Sequence, residues 1–264
     1  MRNALAGHTN SFHTYDREAA FAGIAAAGYG TVELTAVEGW TEHVDLDADT
    51  GELRARLEYY GLEPVVLSGH SDLTTADGLA YGIKAVRWCA DYGLPVMSTA
   101  IGGHASQDEN EAAFLSNISA LAEAADDAGV DVALEIHGDI MASGAKTLPL
   151  LERIGQPRIK VAYDSGNCEF YGDVKAVDDL ATVIPHLANF HLKDHRGGKG
   201  DWDFPAPGDG SVDFATILQQ LEAGGYTGPL SVEIEFQGDP WPPLAEVNAS
   251  MARARAHLNA LGLG

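Results

Sequence analysis

Short apolar runs alternate along the chain with longer stretches in which apolar positions recur every three or four residues. The short runs are "NALAG" (3–7), "TVELT" (31–35), "EPVVLS" (63–68), "PVMSTAI" (95–101), "VDVALEIH" (130–137), "IKVAYDS" (159–165), "LANFHLK" (187–193) and "LSVEIEF" (230–236). Their length and β-rich content predict strands. Helical patterns fill the gaps, over 16–27, 51–60, 75–92, 108–128, 145–154, 174–184, 213–224 and 243–261. Several close on glycine, at Gly28, Gly61, Gly93, Gly129 and the pair Gly224–Gly225. Glycine suits the left-handed position that ends a helix.

Repeated strand–helix units predict a parallel sheet. Eight such units in 264 residues match an α/β chain folded as a single (β/α)8 TIM barrel, one domain over 1–264. The rival is an open doubly wound sheet. A nucleotide-binding sheet of that kind carries a GxGxxG turn after its first strand. Here the first strand runs into "HTNSFHTYD" instead.

Charge narrows the partners. Sixteen Lys and Arg face 39 Asp and Glu, for a net charge of −23. Nucleic acids and anionic membrane surfaces reward basic residues, so neither is an expected partner. No apolar run approaches the ~18 residues of a membrane span. The start "MRNALAGHTN" lacks a hydrophobic segment with a small-residue cleavage site, which argues against a secretory signal. Cys89 and Cys168 form no CxxC pair. Buried free thiols and a cytoplasmic location are the expectation.

In a barrel of this kind chemistry gathers at the C-terminal ends of the strands. The fifth predicted strand ends in Glu135 and His137, the sixth in Asp164 with Asn167 beyond it. The seventh ends in His191, Lys193 and Asp194, and the eighth carries Glu233 and Glu235. His8, Glu33 and His70 stand at the first three. Each has a plain reading: a lone strand Glu is solvated or salt-bridged, Asp164 caps a turn, His191 is a hydrogen-bonded core histidine. Glu233 and Glu235 share a strand face, so one can be a ligand and the other its neighbour, with Val232 and Ile234 pointing to the helices. Four consecutive strands offering Glu, Asp, His and Glu suit a divalent ion such as Mn²⁺, Mg²⁺ or Co²⁺, and tolerate Zn²⁺.

The segments "EAAFAGIAAAGYGTVEL" (18–34), "VALEIHG" (132–138), "YDSGN" (163–167), "FHLKD" (190–194) and "PGDGSVDFATILQQLEAGGYTGPLSVEIE" (207–235) carry a resemblance over nearly the whole chain. The chain resembles the xylose-isomerase-like barrels: sugar phosphate isomerases and epimerases, ketose 3-epimerases, inosose dehydratases and hydroxypyruvate isomerases. The endonuclease IV group is a distant branch whose DNA-binding activity the −23 charge disfavours. The resemblance implies metal ligands at Glu135, Asp164, His191 and Glu233. It implies one divalent ion, Mn²⁺ first, with Mg²⁺, Co²⁺ or Zn²⁺ as alternatives. It implies Glu135 and Glu233 as acid/base groups on opposite faces of the substrate, with His137, Asn167, Lys193 and Arg196 near the sugar. Homodimers and homotetramers occur among such relatives. Asn167 replaces a histidine common in ketose 3-epimerases, and "KDHRGGKGDWDF" replaces a shorter loop, so the sugar stays open.

The implied reaction is proton transfer beside a carbonyl through a metal-stabilised enediolate, giving isomerisation or epimerisation. Loss of a β-hydroxyl would instead give a dehydratase acting on a keto-inositol or 3-keto-glycoside. A third reading is a barrel serving only as a ligand-binding or accessory subunit. The glycine-rich loop 197–211 is the expected lid and selector. His195 and Arg196 at its start face the sugar in this reading, and Trp202 and Phe204 cover the sugar's apolar face. Trp40 and Trp241, after the second and eighth predicted strands, are candidates for the same mouth.

Overall fold

In the computed structural model, which describes residues 3–102, 107–238 and 240–263, alternation along each strand sorts the side chains. The strands are β1 (Leu5–His8), β2 (Thr31–Val37), β3 (Thr41–Glu42), β4 (Glu63–Ser68), β5 (Val96–Thr99), β6 (Asp131–Glu135), β7 (Ile159–Asp164), β8 (Leu187–Leu192) and β9 (Leu230–Val232). β3 is a two-residue antiparallel appendage of β2. The other eight pair in parallel, and β1 pairs with both β2 and β9, which closes the sheet into a (β/α)8 TIM barrel.

Odd and even positions meet different surroundings. Val132 and Leu134 of β6, Val161 and Tyr163 of β7, and Phe190 and Leu192 of β8 join the large core between sheet and helices. Val232 and Ile234 join it too, as their parity with Glu233 predicts. Their inward neighbours Ala133 and Ala162 pack with Val66 and Val96 in a second, small cluster. Small apolar side chains thus fill the inner layer, and the next inward positions on β6 and β7 are Glu135 and Asp164. Register fixes their neighbours: Glu135 lies opposite Ala162, and Asp164 opposite His191.

The helices are α1 (Arg17–Ala26), α2 (Thr50–Tyr60), α3 (Ala76–Tyr92), α4 (Gln107–Ala128), α5 (Gly144–Ile154), α6 (Ser165–Gly172), α7 (Ala176–Asp179), α8 (Phe214–Ala223) and α9 (Leu244–Ala260). Gly61 and Gly93 end α2 and α3 in the left-handed region, at φ 67° and 93°. In the pair after α8 the left-handed residue is Gly225 (φ 73°), whereas Gly224 has φ −78°. Two helix expectations change. The pattern over 174–184 is one short turn, α7, followed by 3-10 turns at Leu180–Thr182 and Ile184–His186. Pro185, which lacks an N–H, lies in the second turn. Residues 165–172, outside the helical patterns read from the sequence, form α6. Its Ser-Gly-Asn-Cys start has poor helix propensity. Asp164 compensates, because its Oδ1 accepts from Gly166 N (2.9 Å) and Asn167 N (2.7 Å).

Cys89 and Cys168 are buried free thiols. Burial pushes both above the ordinary thiol range. No helix among the described residues is long and apolar enough to cross a membrane.

Candidate active site

Four consecutive strands deliver four buried groups to one point. Ligand-type atoms of Glu135, Asp164, His191 and Glu233 lie within 4.8 Å of one another. His191 Nδ1 stands at the centre, 3.5 Å from Glu135 Oε1, 3.6 Å from Asp164 Oδ2 and 3.7 Å from Glu233 Oε2. Those separations are too long for hydrogen bonds. Asp164 Oδ2, His191 Nδ1 and Glu233 Oε2 are buried with no hydrogen-bond partner. Buried polar atoms without hydrogen bonds are costly and rare, and three aimed at one point mark a candidate site for a shared partner. A divalent cation fits: three carboxylates and one imidazole are hard or borderline donors, and no thiolate is among them.

The remaining atoms of these side chains are held by neighbours. His191 Nε2 lies 3.2 Å from Glu33 Oε1 and 3.1 Å from Asn189 Nδ2. Asn189 donates to both Glu33 oxygens, at 3.2 and 3.0 Å. A proton on Nε2 shared with Glu33 leaves Nδ1 free to accept a cation. Asp164 divides its work, with Oδ1 capping α6 and Oδ2 facing the cluster. Glu233 Oε1 accepts from Asn10 Nδ2 at 2.9 Å. Asn10 is in turn fixed by Trp40 Nε1 and Thr41 Oγ1. Glu135 Oε1 accepts from Asn167 Nδ2 at 3.1 Å, and His70 Nε2 approaches Glu135 Oε2 at 2.8 Å without hydrogen-bond alignment.

Charge sets the protonation states. Burial pushes Glu233 up, but Lys193, His8 and His191 outweigh it and hold the carboxyl at about 2. Burial likewise opposes ionisation of Glu33, yet His8 and His191 hold it at about 2. Glu135 is held well below the ordinary carboxylate range against burial, by His191 and His70. Asp164 goes the other way, raised chiefly by burial. Burial would lower Lys193, but Glu233, Glu235 and Asp164 raise it well above the ordinary range. Its Nζ lies 2.5 Å from Glu235 Oε2, 3.4 Å from Glu233 Oε2 and 4.4 Å from the centre of the Phe204 ring.

Above the cluster opens a cavity of about 470 Å³, in the size range of small-molecule sites. Glu135, Glu233, His137, Asn167, Lys193 and Trp202 line it, together with Asn10, Thr35, Val37, Trp40, Ser68, His70 and Glu235. His137 Nε2 is 3.1 Å from Tyr171 Oη. His195 is absent from this lining. It is buried under the following loop, with Nε2 2.9 Å from the Asp201 carbonyl oxygen and Nδ1 3.7 Å from Glu169 Oε2. Arg196 is also outside the cavity, exposed and paired with Asp203 at 2.9 Å. Phe204 is buried beneath Lys193 and does not line the cavity; Trp241 is buried beside Phe236. The reason lies in Asp194. Its carboxylate accepts from the amides of His195, Gly208, Gly210 and Val212, which folds 197–211 back on itself and turns His195 and Arg196 away. Gly208 sits at φ 98°, a value that only glycine adopts readily.

Glu33 and His70 were strand-end candidates from sequence; Asn10 and Asn189 were not. Their amide side chains carry no ionisable signal, and only their hydrogen bonds to Glu233 and Glu33 mark them.

The fold and site define a closed parallel barrel with a candidate cation centre at its C-terminal mouth. The chain belongs to the xylose isomerase-like TIM barrel family, whose model matches residues 21–257. It is 30% identical over 237 residues to an L-ribulose 3-epimerase of Methylomonas sp. strain DH-1, covering 81% of this chain and 77% of that protein. It is 27% identical over 146 residues to an inosose dehydratase of Salmonella typhimurium, with 48% of this chain and 47% of that protein aligned. Among solved structures, D-allulose 3-epimerase from Methylomonas sp. in complex with D-allulose superposes at TM-score 0.73 and 21% identity, covering 98% and 97% of the two chains. An E. coli 3-keto-D-glucoside 4-epimerase superposes at 0.70 with 16% identity, covering 96% and 99%. The curated relatives thus include sugar epimerases and inosose dehydratases.

Proposed function

We propose that this chain is a divalent-metal-dependent isomerase or epimerase of a sugar or sugar derivative, with proton transfer by Glu135 and Glu233. The observation that carries the reading is the convergence of three buried atoms without hydrogen-bond partners, Asp164 Oδ2, His191 Nδ1 and Glu233 Oε2, beneath a sugar-sized cavity. A cation held by Glu135, Asp164, His191 and Glu233 supplies Lewis acidity, which stabilises negative charge on the substrate's carbonyl and neighbouring hydroxyl oxygens.

The chain's own groups do the rest. Glu233, kept ionised beside Lys193, takes the proton from the carbon next to the carbonyl. The C–H electron pair moves into an enediolate. Glu135, with His70 at its outer oxygen, returns a proton from the flank three strands away. Burial would lower His70, but Glu135 raises it above the ordinary imidazole range, so it can recharge that carboxylate. Return to the same carbon from the opposite face epimerises it; return to the neighbouring carbon, with the hydroxyl proton passing from the oxygen that becomes the new carbonyl to the former carbonyl oxygen, isomerises the sugar. Trp202 and Trp40 narrow the mouth and limit water.

Dehydration is the second reading. It draws support from the inosose dehydratase similarity and from Lys193, a cationic proton donor within the same cavity. Incubating the Mn²⁺-loaded protein with ketoses in D₂O separates the two. Solvent deuterium at a carbon next to the carbonyl, with no loss of water, supports isomerase or epimerase. A dehydrated product overturns it in favour of the lyase.

A further inference from the structure

Beyond the inner cavity lies a second, larger one of about 700 Å³. Trp202 and Glu235 line both, so the two adjoin at these side chains. Beyond that junction the lining carries two ion-paired arginines. Arg196 is clamped to Asp203 through Nε (2.9 Å) and Nη2 (3.3 Å). Arg253 of α9 reaches Asp209 Oδ2 at 3.0 Å and Ser250 Oγ at 3.1 Å. Each guanidinium keeps further N–H groups beyond these contacts. The indole N–H of Trp202, at that junction, is buried with no acceptor. A buried indole donor normally has a partner.

We propose that the outer cavity is a second sugar subsite, and that the substrate is a glycosidically substituted sugar. Its reacting ring occupies the inner cavity, and its second ring lies past Trp202 against Arg253 and Arg196. The proposal rests on the reading that the inner cavity holds the reacting sugar. Charge selects the substituent. In the outer lining Asp203 and Asp209 pair with the two arginines and Glu235 pairs with Lys193, so the described lining offers no unpaired cation, and Glu246 adds a further carboxylate. An anionic group such as a phosphate therefore finds no unpaired cation there, and a neutral polyhydroxyl ring is favoured. The free N–H groups of Arg196 and Arg253 match sugar hydroxyl oxygens, and the Trp202 ring offers an apolar face beside its unpaired donor. Arg196 thus acquires a place in recognition, outside the inner cavity.

The test measures calorimetric binding to the Mn²⁺-loaded full chain. The probes are D-fructose and the glucosyl-fructoses substituted at O3, O4, O5 and O6. At least one disaccharide should bind about tenfold or more tighter than D-fructose, corresponding to about 1.4 kcal/mol. Gln237→Trp, which fills the outer cavity, and Arg253→Ala, which empties it of a donor, should each bring that ratio to within about twofold. The two variants perturb different groups, so misfolding of one, read from its melting curve, leaves the other decisive. Fructose binding as tightly as every disaccharide overturns the subsite, as does an advantage that survives the folded variants or a failure to bind any probe. Deuterium exchange on the same samples separates the two readings. Exchange without a disaccharide preference overturns the subsite and leaves the reaction standing; preference without exchange supports the subsite and counts against the reaction.

Discussion

Glu33 Oε1 lies 3.2 Å from His191 Nε2, and this contact decides which imidazole nitrogen faces the carboxylate cluster. A fully buried carboxylate on β2 thereby orients a side chain on β8, across the barrel. Glu33→Gln keeps the shape but replaces an obligate acceptor with an amide that can donate instead. Divalent-ion affinity should fall about 10–100-fold, as for other partners of ligating histidines. Calorimetric titration with Mn²⁺ checks this; wild-type affinity in a folded Glu33→Gln variant would count against the positioning role.

Lys193 is the buried countercharge of the cluster. Three carboxylates, Asp164, Glu233 and Glu235, lie within 3.9 Å of its Nζ. Lys193→Met removes the one ammonium among them and should destabilise the metal-free protein by roughly 3–5 kcal/mol. Added Mn²⁺ should recover part of that loss, since a bound cation offsets the same repulsion. Urea unfolding with and without Mn²⁺ reads both effects. Equal stability of wild type and variant without metal would show that the ammonium is not needed as a countercharge.

Loop 197–211 should loosen at alkaline pH. Burial would lower His195, but Glu169 and the Asp201 carbonyl raise it above 6.5. A raised folded pKa gives stability that is complete below the unfolded value of about 6.5 and is lost as pH rises through the folded value. Protection of the Gly198, Gly200 and Asp201 amides against hydrogen exchange, corrected for intrinsic rates, should therefore fall above neutrality. Their acceptors are Asp201 Oδ2, the Phe170 carbonyl and the Gly198 carbonyl. His195→Gln should flatten the dependence. Unchanged protection across pH 6 to 9 in the wild type would refute the link.

Much of this was legible in the sequence because strand parity and strand-end position are local signals. Alternation alone separates Val232 and Ile234 from Glu233, and the glycine after α2 or α3 marks its end. Of the four residues that converge at the mouth, Glu135, Asp164 and His191 stood near the ends of their predicted strands, and Glu233 lay within the eighth. What escaped depended on contacts distant in the chain or on competing local effects. α6 begins with poor helix formers and exists with Asp164 as its cap. The 174–184 pattern lost its helical continuity around Pro185. The course of 197–211 is set by four backbone bonds to Asp194, which no periodicity reports, so the placement of His195 and Arg196 away from the inner cavity could not be read in advance.

The central claim is that Glu135, Asp164, His191 and Glu233 hold one divalent ion. Calorimetric titration of the chelator-treated protein with Mn²⁺ tests it most directly. The account predicts one ion per chain in the wild type and no uptake at this site in Asp164→Ala or His191→Ala variants that remain folded. No Mn²⁺ binding by the folded wild type, or equal binding by those variants, would contradict it.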